Sequence, residues 1–219
     1  MCLNFNIRFD GRLYNEIRPV KIYTNPLTSY FTSVQMSIGP TTVIVSIVKE
    51  SVFEENSFHS IHLNLSSINI TIKNQSINYT KEIILKILNY LYPWEKIKSK
   101  IIFNLIIVEE DGDLLTVALN AIFLAIYKGN FFPEIKAIFC SIGLLKNNKD
   151  LILNSRQLEE LFVKSQIYFI KIKNFKKKKS DIKVLYCGEL TELNENTYEK
   201  IIKLGKNYLK LFQEIINSC

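Results

Sequence analysis

The side chains of this 219-residue chain that could do chemistry are mostly cations. Arg8, Arg12 and Arg18 stand close together around Asp10 and Glu16, and Lys176-Lys177-Lys178-Lys179 is the densest run of positive charge. Clusters of this kind can hold a nucleic-acid backbone without reading its sequence. A net charge of +7 and a pI near 9.1 permit such a partner, or another acidic surface. Each cluster also has a plainer reading. The arginines form a charged turn in which Asp10 and Glu16 pair internally, and the lysines solvate a hairpin tip. The crowding of Ile, Asn and Lys fits an AT-rich coding bias, so charge alone assigns no ligand. Cys2, Cys140, Cys187 and Cys219 are scattered, and His59 and His62 have no cysteine near them. Those spacings argue against a zinc site and for thiols kept reduced.

The elements that must position these groups follow from hydrophobic periodicity. Val20 to Tyr23 and Val34 to Val48 read as strands, the second bent at Gly39-Pro40. Ser60 to Ile72 alternates strictly apart from a slip near Ser66-Ser67, which suits a bulge. From Thr80, a candidate N-cap, to Tyr92 the spacing becomes helical through Ile83, Ile84, Ile87, Leu88 and Leu91. Ile101 to Val108 is a buried strand closed by the turn Glu109-Glu110-Asp111-Gly112. Leu114 to Tyr127 is a strongly apolar helix with Ala118, Ala121 and Ala125 for close packing, stopped by Lys128-Gly129-Asn130. Ile135 to Leu145 with Leu151 to Leu153, and Ile167 to Ile172 with Ile182 to Tyr186, read as strand pairs, and Asn194 to Asn217 as an amphipathic helix. Glu159 to Lys164 is too short to assign. The order predicts a single α+β domain over residues 1–219, with mixed β-sheets packed with helices. Met1 to Phe5 lacks the pattern of a signal peptide, and no run reaches the roughly 18 apolar residues of a membrane span.

Three segments, in order, resemble the RNase PH family, and specifically the ring subunits of the eukaryotic RNA exosome. Arg8-Phe9-Asp10-Gly11-Arg12-Leu13-Tyr14-Asn15-Glu16-Ile17-Arg18 resembles the family's opening R-x-D-G-R-x-x-x-E-x-R. Tyr92-Pro93, then Val108-Glu109-Glu110-Asp111-Gly112 and the helix with Ala118-Leu119-Asn120-Ala121, is similar to its block of strand, D-G-G and helix. Leu153-Asn154 followed by Leu158-Glu159-Glu160 is similar to its L-D-x-x-x-x-E-[DE] block. The resemblance spans nearly the whole chain and implies a fold like the second domain of ribosomal protein S5.

What the resemblance implies for catalysis is loss. Active relatives grip inorganic phosphate with a Thr-Arg pair after D-G-G, at a helix start that favours anions. Here those positions read Leu114 and Leu115, after Asp113 in place of the last Gly, and an added carboxylate would repel phosphate. A second phosphate-site Arg precedes the T-x-E-I start of a helix; here Thr80-Lys81-Glu82-Ile83 follows Tyr79. In the acidic pair Asn154 replaces the first aspartate and Glu160 the second. An amide cannot act as a general acid.

The resemblance thus implies a subunit without catalysis, cofactor or metal. Its expected partners are other RNase PH-like subunits, cap proteins, single-stranded RNA and a separate hydrolytic 3′→5′ exonuclease, in the nucleus, nucleolus and cytoplasm. Arg8, Arg12, Arg18 and Lys176, Lys177, Lys178 and Lys179 are then the candidates for RNA contact. The short length and the Asn15-Glu16-Ile17-Arg18 ending look most like the class descended from the archaeal catalytic subunit, while the third block and the C-terminal helix also fit the short, motif-poor class that usually lacks the D-G-R opening. The alternatives are an active phosphorolytic 3′→5′ exoribonuclease, and a ribosomal or chaperone-like role on the same fold.

Overall fold

The computed structural model describes residues 8–51, 61–67, 74–97, 99–147, 150–176, 179–187 and 195–217. The apolar run that bends at Gly39-Pro40 is a hairpin. β2 (Thr32–Ile38) and β3 (Thr41–Ser51) pair antiparallel, with Ile38 opposite Thr41. Gly39 supplies a positive φ of 60° that this tight turn requires. β1 (Val20–Thr24) adds to β2, and β5 (Ser99–Glu109) adds to the far side of β3. β4 (Ile61–Ser67) lies parallel to β5, because α1 (Asn74–Leu91) intervenes as the crossover that a parallel pair needs. The sheet order is therefore β1-β2-β3-β5-β4. Along β2, β3 and β5 every second residue is apolar and buried, as in Val34, Met36 and Ile38, Val43, Val45 and Ile47, or Ile101, Phe103, Leu105 and Ile107.

That buried face meets α2 (Leu114–Lys128), which also packs on the second sheet. Residues Thr116 to Ile126 of α2 are all buried, as expected of a helix that is apolar on every side. Ala118, Ala121 and Ala125 let its neighbours approach closely. The second sheet runs β7-β6-β8-β9, antiparallel throughout, from β6 (Ile135–Leu145), β7 (Leu151–Leu153), β8 (Val163–Asn174) and β9 (Lys179–Cys187). Between β7 and β8 sits the single turn α3 (Gln157–Glu160). α4 (Glu195–Asn217) packs on β6 and β8 through Ile201, Tyr208, Leu209, Phe212 and Ile216. It lies so close that a Cβ on Gly205 would stand 2.8 Å from the Phe169 ring. The α+β class and the mixed sheets are as the periodicity predicts.

Two boundaries differ from the sequence reading. α1 begins at Asn74, so Thr80 is inside it and is no N-cap; the apolar stripe from Ile83 marks its buried part only. The unassigned stretch from Glu159 splits between α3 and the start of β8. The slip at Ser66-Ser67 falls at the end of β4, and the rest of that run lies outside the described residues.

One side chain joins α2 to the second sheet. β7 pairs only with Ile142 to Leu144 of β6, which leaves the earlier part of that edge open. Buried Asn120 closes it. Its amide nitrogen donates to the Phe139 carbonyl at 2.7 Å, and its amide oxygen accepts the Phe139 N–H at 2.9 Å. Asn120→Leu would orphan both buried backbone groups, and should lower the unfolding free energy by at least about 2 kcal/mol. Urea denaturation checks this, with a shift of the midpoint at constant slope expected.

Candidate functional site

The turn Asp111-Gly112-Asp113 carries the chain from β5 into α2, and its conformation is forced by what presses on it. Gly112 has φ +83°, and a Cβ there would lie 2.4 Å from the Ser155 carbonyl oxygen and 2.6 Å from backbone atoms of Arg156 and Gln157. No other residue fits. Thr41 clasps the same turn, donating from Oγ1 to the Gly112 carbonyl at 2.8 Å and accepting the Asp111 N–H at 2.9 Å. Asp113 also takes a left-handed φ, 55°, and its buried carboxylate points inward. It accepts hydrogen bonds from Ser141 Oγ at 2.5 Å and Asn154 Nδ2 at 2.8 Å. Burial raises its pKa, against the pull of those donors.

The N–H of Asp113, the residue that leads into α2, meets a carboxyl of the chain itself. Glu160, on α3, accepts the Asp113 N–H through Oε1 at 2.8 Å. Burial of this carboxyl, reinforced by the nearby charges of Asp113 and Glu110, pushes its pKa up to about 7, although the residue as a whole reaches the surface. Burial raises Glu110 as well. Leu114 and Leu115, the first residues of α2, are half-buried and pack against the core.

The arginines close round this turn from the other side. Arg18 is only 2% exposed; it donates to the carbonyls of Asp111 at 2.8 Å, Gly112 at 3.1 Å and Ser155 at 3.3 Å, with the Asp111 carboxylate 3.7 Å away. Its burial lowers its pKa, opposed by Asp113 and Asp111. Its aliphatic stem fills the space a side chain on Gly39 would need, where a Cβ would stand 2.6 Å from Arg18 Cδ. Arg8, also buried, forms a two-pronged ion pair with Glu159 and donates to the carbonyls of Leu153 and Asn154. Glu159 in turn accepts the Arg156 N–H at 2.8 Å, which caps α3. Although burial opposes it, these donors hold the Glu159 carboxyl below its ordinary pKa. Arg156 Nε bonds the Asp111 carboxylate at 2.8 Å. Arg12 pairs with Asp10 at 2.8 Å and donates to the Glu16 carbonyl at 3.0 Å.

Placed on this structure, the residues singled out in the sequence separate into groups. Leu114, Leu115, Asn154 and Glu160 do converge on one turn. Tyr79 lies inside α1 and away from its first turn, and its side chain is outside the described residues. Arg8 and Arg18 offer no guanidinium to the surface. Asp113 differs from the expectation of a repelling carboxylate at the helix start, because Ser141 and Asn154 turn it inward; Glu160 holds that place instead. Lys176 extends into solvent, 3.6 Å from Glu134. Lys177 and Lys178 lie outside the described residues, and Lys179 is described only as the first residue of β9. Arg156, Asp111 and Thr41 were not visible as site residues in the sequence. Their only signal was that Arg156 and Asp111 fall within the motif blocks. Among the described residues no group of three or more His, Cys, Asp or Glu could hold a metal, and no helix is long and apolar enough to cross a membrane.

Residues 16–130 match the 3′ exoribonuclease family, domain 1. Three solved structures share the fold. The crystal structure of rice (Oryza sativa) Rrp46 is 20% identical, with 96% of this chain and 98% of that one covered at a TM-score of 0.73. The Archaeoglobus fulgidus exosome with RNA bound to the active site is 13% identical, covering 96% and 93% at 0.71. An archaeal exosome core is 14% identical, covering 97% and 92% at 0.67. No curated protein matches the chain.

Two predictions follow from the geometry of this turn. Arg8→Met strands a buried carboxylate and two carbonyls, and should destabilise the fold by about 3–5 kcal/mol in chemical denaturation. Glu160 has a folded-state pKa above its ordinary 4.5, so the native protein binds more protons than the unfolded one between about pH 4.5 and 7. Its ionisation therefore removes stability as pH rises through that window. In thermal melts, Glu160→Gln should gain on the wild type from pH 5 to pH 8, and a gap that is constant with pH would refute the assignment.

Proposed function

The chain belongs to the 3′ exoribonuclease (RNase PH) family, and on that premise we propose that it is a non-catalytic ring subunit of an RNA exosome. One observation supports the loss of catalysis: the first residues of α2 are Leu114 and Leu115, half-buried against the core and without a donor for phosphate. Phosphorolysis needs inorganic phosphate held by cationic or N–H donors. Here the nearest arginines, Arg18 and Arg156, are bonded to the chain's own carbonyls and Asp111. An incoming phosphate would meet Glu160 and Glu110, and neither leucine could donate to it.

A subunit without chemistry acts through shape and contact. The likeness in fold to Rrp46 and to archaeal exosome cores supports assembly with other RNase PH-like subunits and with cap proteins. The surface also supports assembly: Phe9 is 76% exposed beside Phe162, with Leu13, Leu158 and Leu161 exposed on the same two segments. β9 adds exposed Ile182 and Val184 on a sheet edge. An apolar surface of this kind marks a place for a partner. In this reading the ring guides single-stranded RNA to a separate hydrolytic 3′→5′ exonuclease, in the nucleus, nucleolus and cytoplasm. Its ring position is that of the class descended from the archaeal catalytic subunit.

Affinity purification of the tagged chain from its own cells, followed by mass spectrometry, tests the assignment. RNase PH-like subunits, cap proteins and a hydrolytic nuclease are the expected partners, and recovery of ribosomal proteins in their place would overturn it. Expressed alone, the chain should self-associate, and co-expression with its paired subunit should restore solubility. A stable, monodisperse monomer in size-exclusion chromatography contradicts this.

A further inference from the structure

At the end of α2 away from the carboxylates lies a cleft of about 560 Å³, which the reading above leaves unused. Its lining combines two phenylalanines, two lysines and a buried hydroxyl: Phe31, Phe131, Lys49, Lys96 and Ser99. Phe31 and Phe131 form a tilted pair with ring centroids 5.2 Å apart, and Phe31 is 56% exposed. Lys49 Nζ stands 5.9 Å from the centroid of that ring. Gly129 makes room for the pair, because a Cβ there would lie 2.7 Å from the Phe131 ring. The carboxylate next to Lys49, Glu50, is held by Lys100 at 2.9 Å. Ser99 is only 6% exposed, and its Oγ has no protein partner.

We propose that this cleft binds one nucleotide of single-stranded RNA, with the base stacked on Phe31 and the phosphate held by Lys49 and Lys96. The combination selects this ligand class. An apolar side chain from another protein would cover the rings but leave both ammonium groups unmatched. Inorganic phosphate alone would leave the aromatic face bare. A nucleotide satisfies all of them, and stacking on an aromatic ring tolerates any base. The presence of RNA rests on the exosome reading above; the position and chemistry of the subsite rest on the cleft.

The test is fluorescence anisotropy with a labelled single-stranded oligoribonucleotide. It uses the full chain assembled with its paired subunit, compared with Phe31→Ala and with the double variant Lys49→Gln, Lys96→Gln. Phe31→Ala should weaken binding by about 5- to 150-fold with the salt dependence unchanged. The double lysine variant should flatten the slope of log affinity against log salt by about 1.4. Co-purification with the paired subunit should survive in both, since the side chains changed are at the surface. If the wild-type assembly binds RNA and the variants bind it equally well, the subsite is overturned while the ring assignment stands. If the variants lose the paired subunit but keep RNA affinity, the cleft is a protein contact and the proposal fails. Binding of free AMP without binding of RNA overturns it too. If the wild-type assembly binds no RNA, both readings fall together.

Discussion

A guanidinium taken out of water must find an oxygen for nearly every N–H, because an unpaired buried cation is costly. Arg8 and Arg18 are in that position, and their partners dictate how the chain closes. Arg18 gathers carbonyls from Asp111, Gly112 and Ser155, while Arg8 gathers Glu159 and the carbonyls of Leu153 and Asn154. The opening segment, the β5–α2 turn and the β7–α3 connection are thus tied at one place. Two glycines make the closure sterically possible, Gly39 under the stem of Arg18 and Gly112 against the Ser155 backbone. The opening segment is held there a second way, since the Leu153 N–H bonds the Tyr14 carbonyl at 3.1 Å.

The same closure shapes the start of α2. A helix N-terminus attracts anions because its first N–H groups lack partners. α3, positioned by the Arg8–Glu159 pair, delivers Glu160 to the residue that leads into α2. The Asp113 N–H is satisfied within the chain by a carboxyl whose pKa burial raises to about 7. Asn154 is buried beside the same turn. Its amide donates to Asp113, so it acts in the core hydrogen-bond network.

Much of this architecture was legible in the sequence, because it follows from local pattern. Period-two burial in Val34 to Ile38 and in Ile101 to Ile107 marks strands, and the all-apolar α2 marks a buried helix. What stayed hidden depends on contacts distant along the chain. Arg8 and Glu159 are 151 residues apart, and no periodicity links them. The pairing of Asp10 with Arg12 was legible because it is local. Asp113 was misread because its donors, Ser141 and Asn154, come from other elements and turn the carboxylate away from the helix start. The start of α1 was missed because Asn74 to Thr80 lacks the apolar stripe that defines the rest of the helix. In the site, the residue types could be read, but the contact between Glu160 and the Asp113 N–H could not.

The central claim is that this chain cannot hold the phosphate that its family's reaction consumes. The most direct measurement is the release of nucleoside diphosphate from poly(A) by the purified chain with its paired subunit, with and without inorganic phosphate. The account predicts that Glu160→Ala leaves whatever release the assembly shows unchanged, and that this chain adds none of its own. Phosphate-dependent release that disappears with Glu160→Ala would place working chemistry at the start of α2 and contradict it.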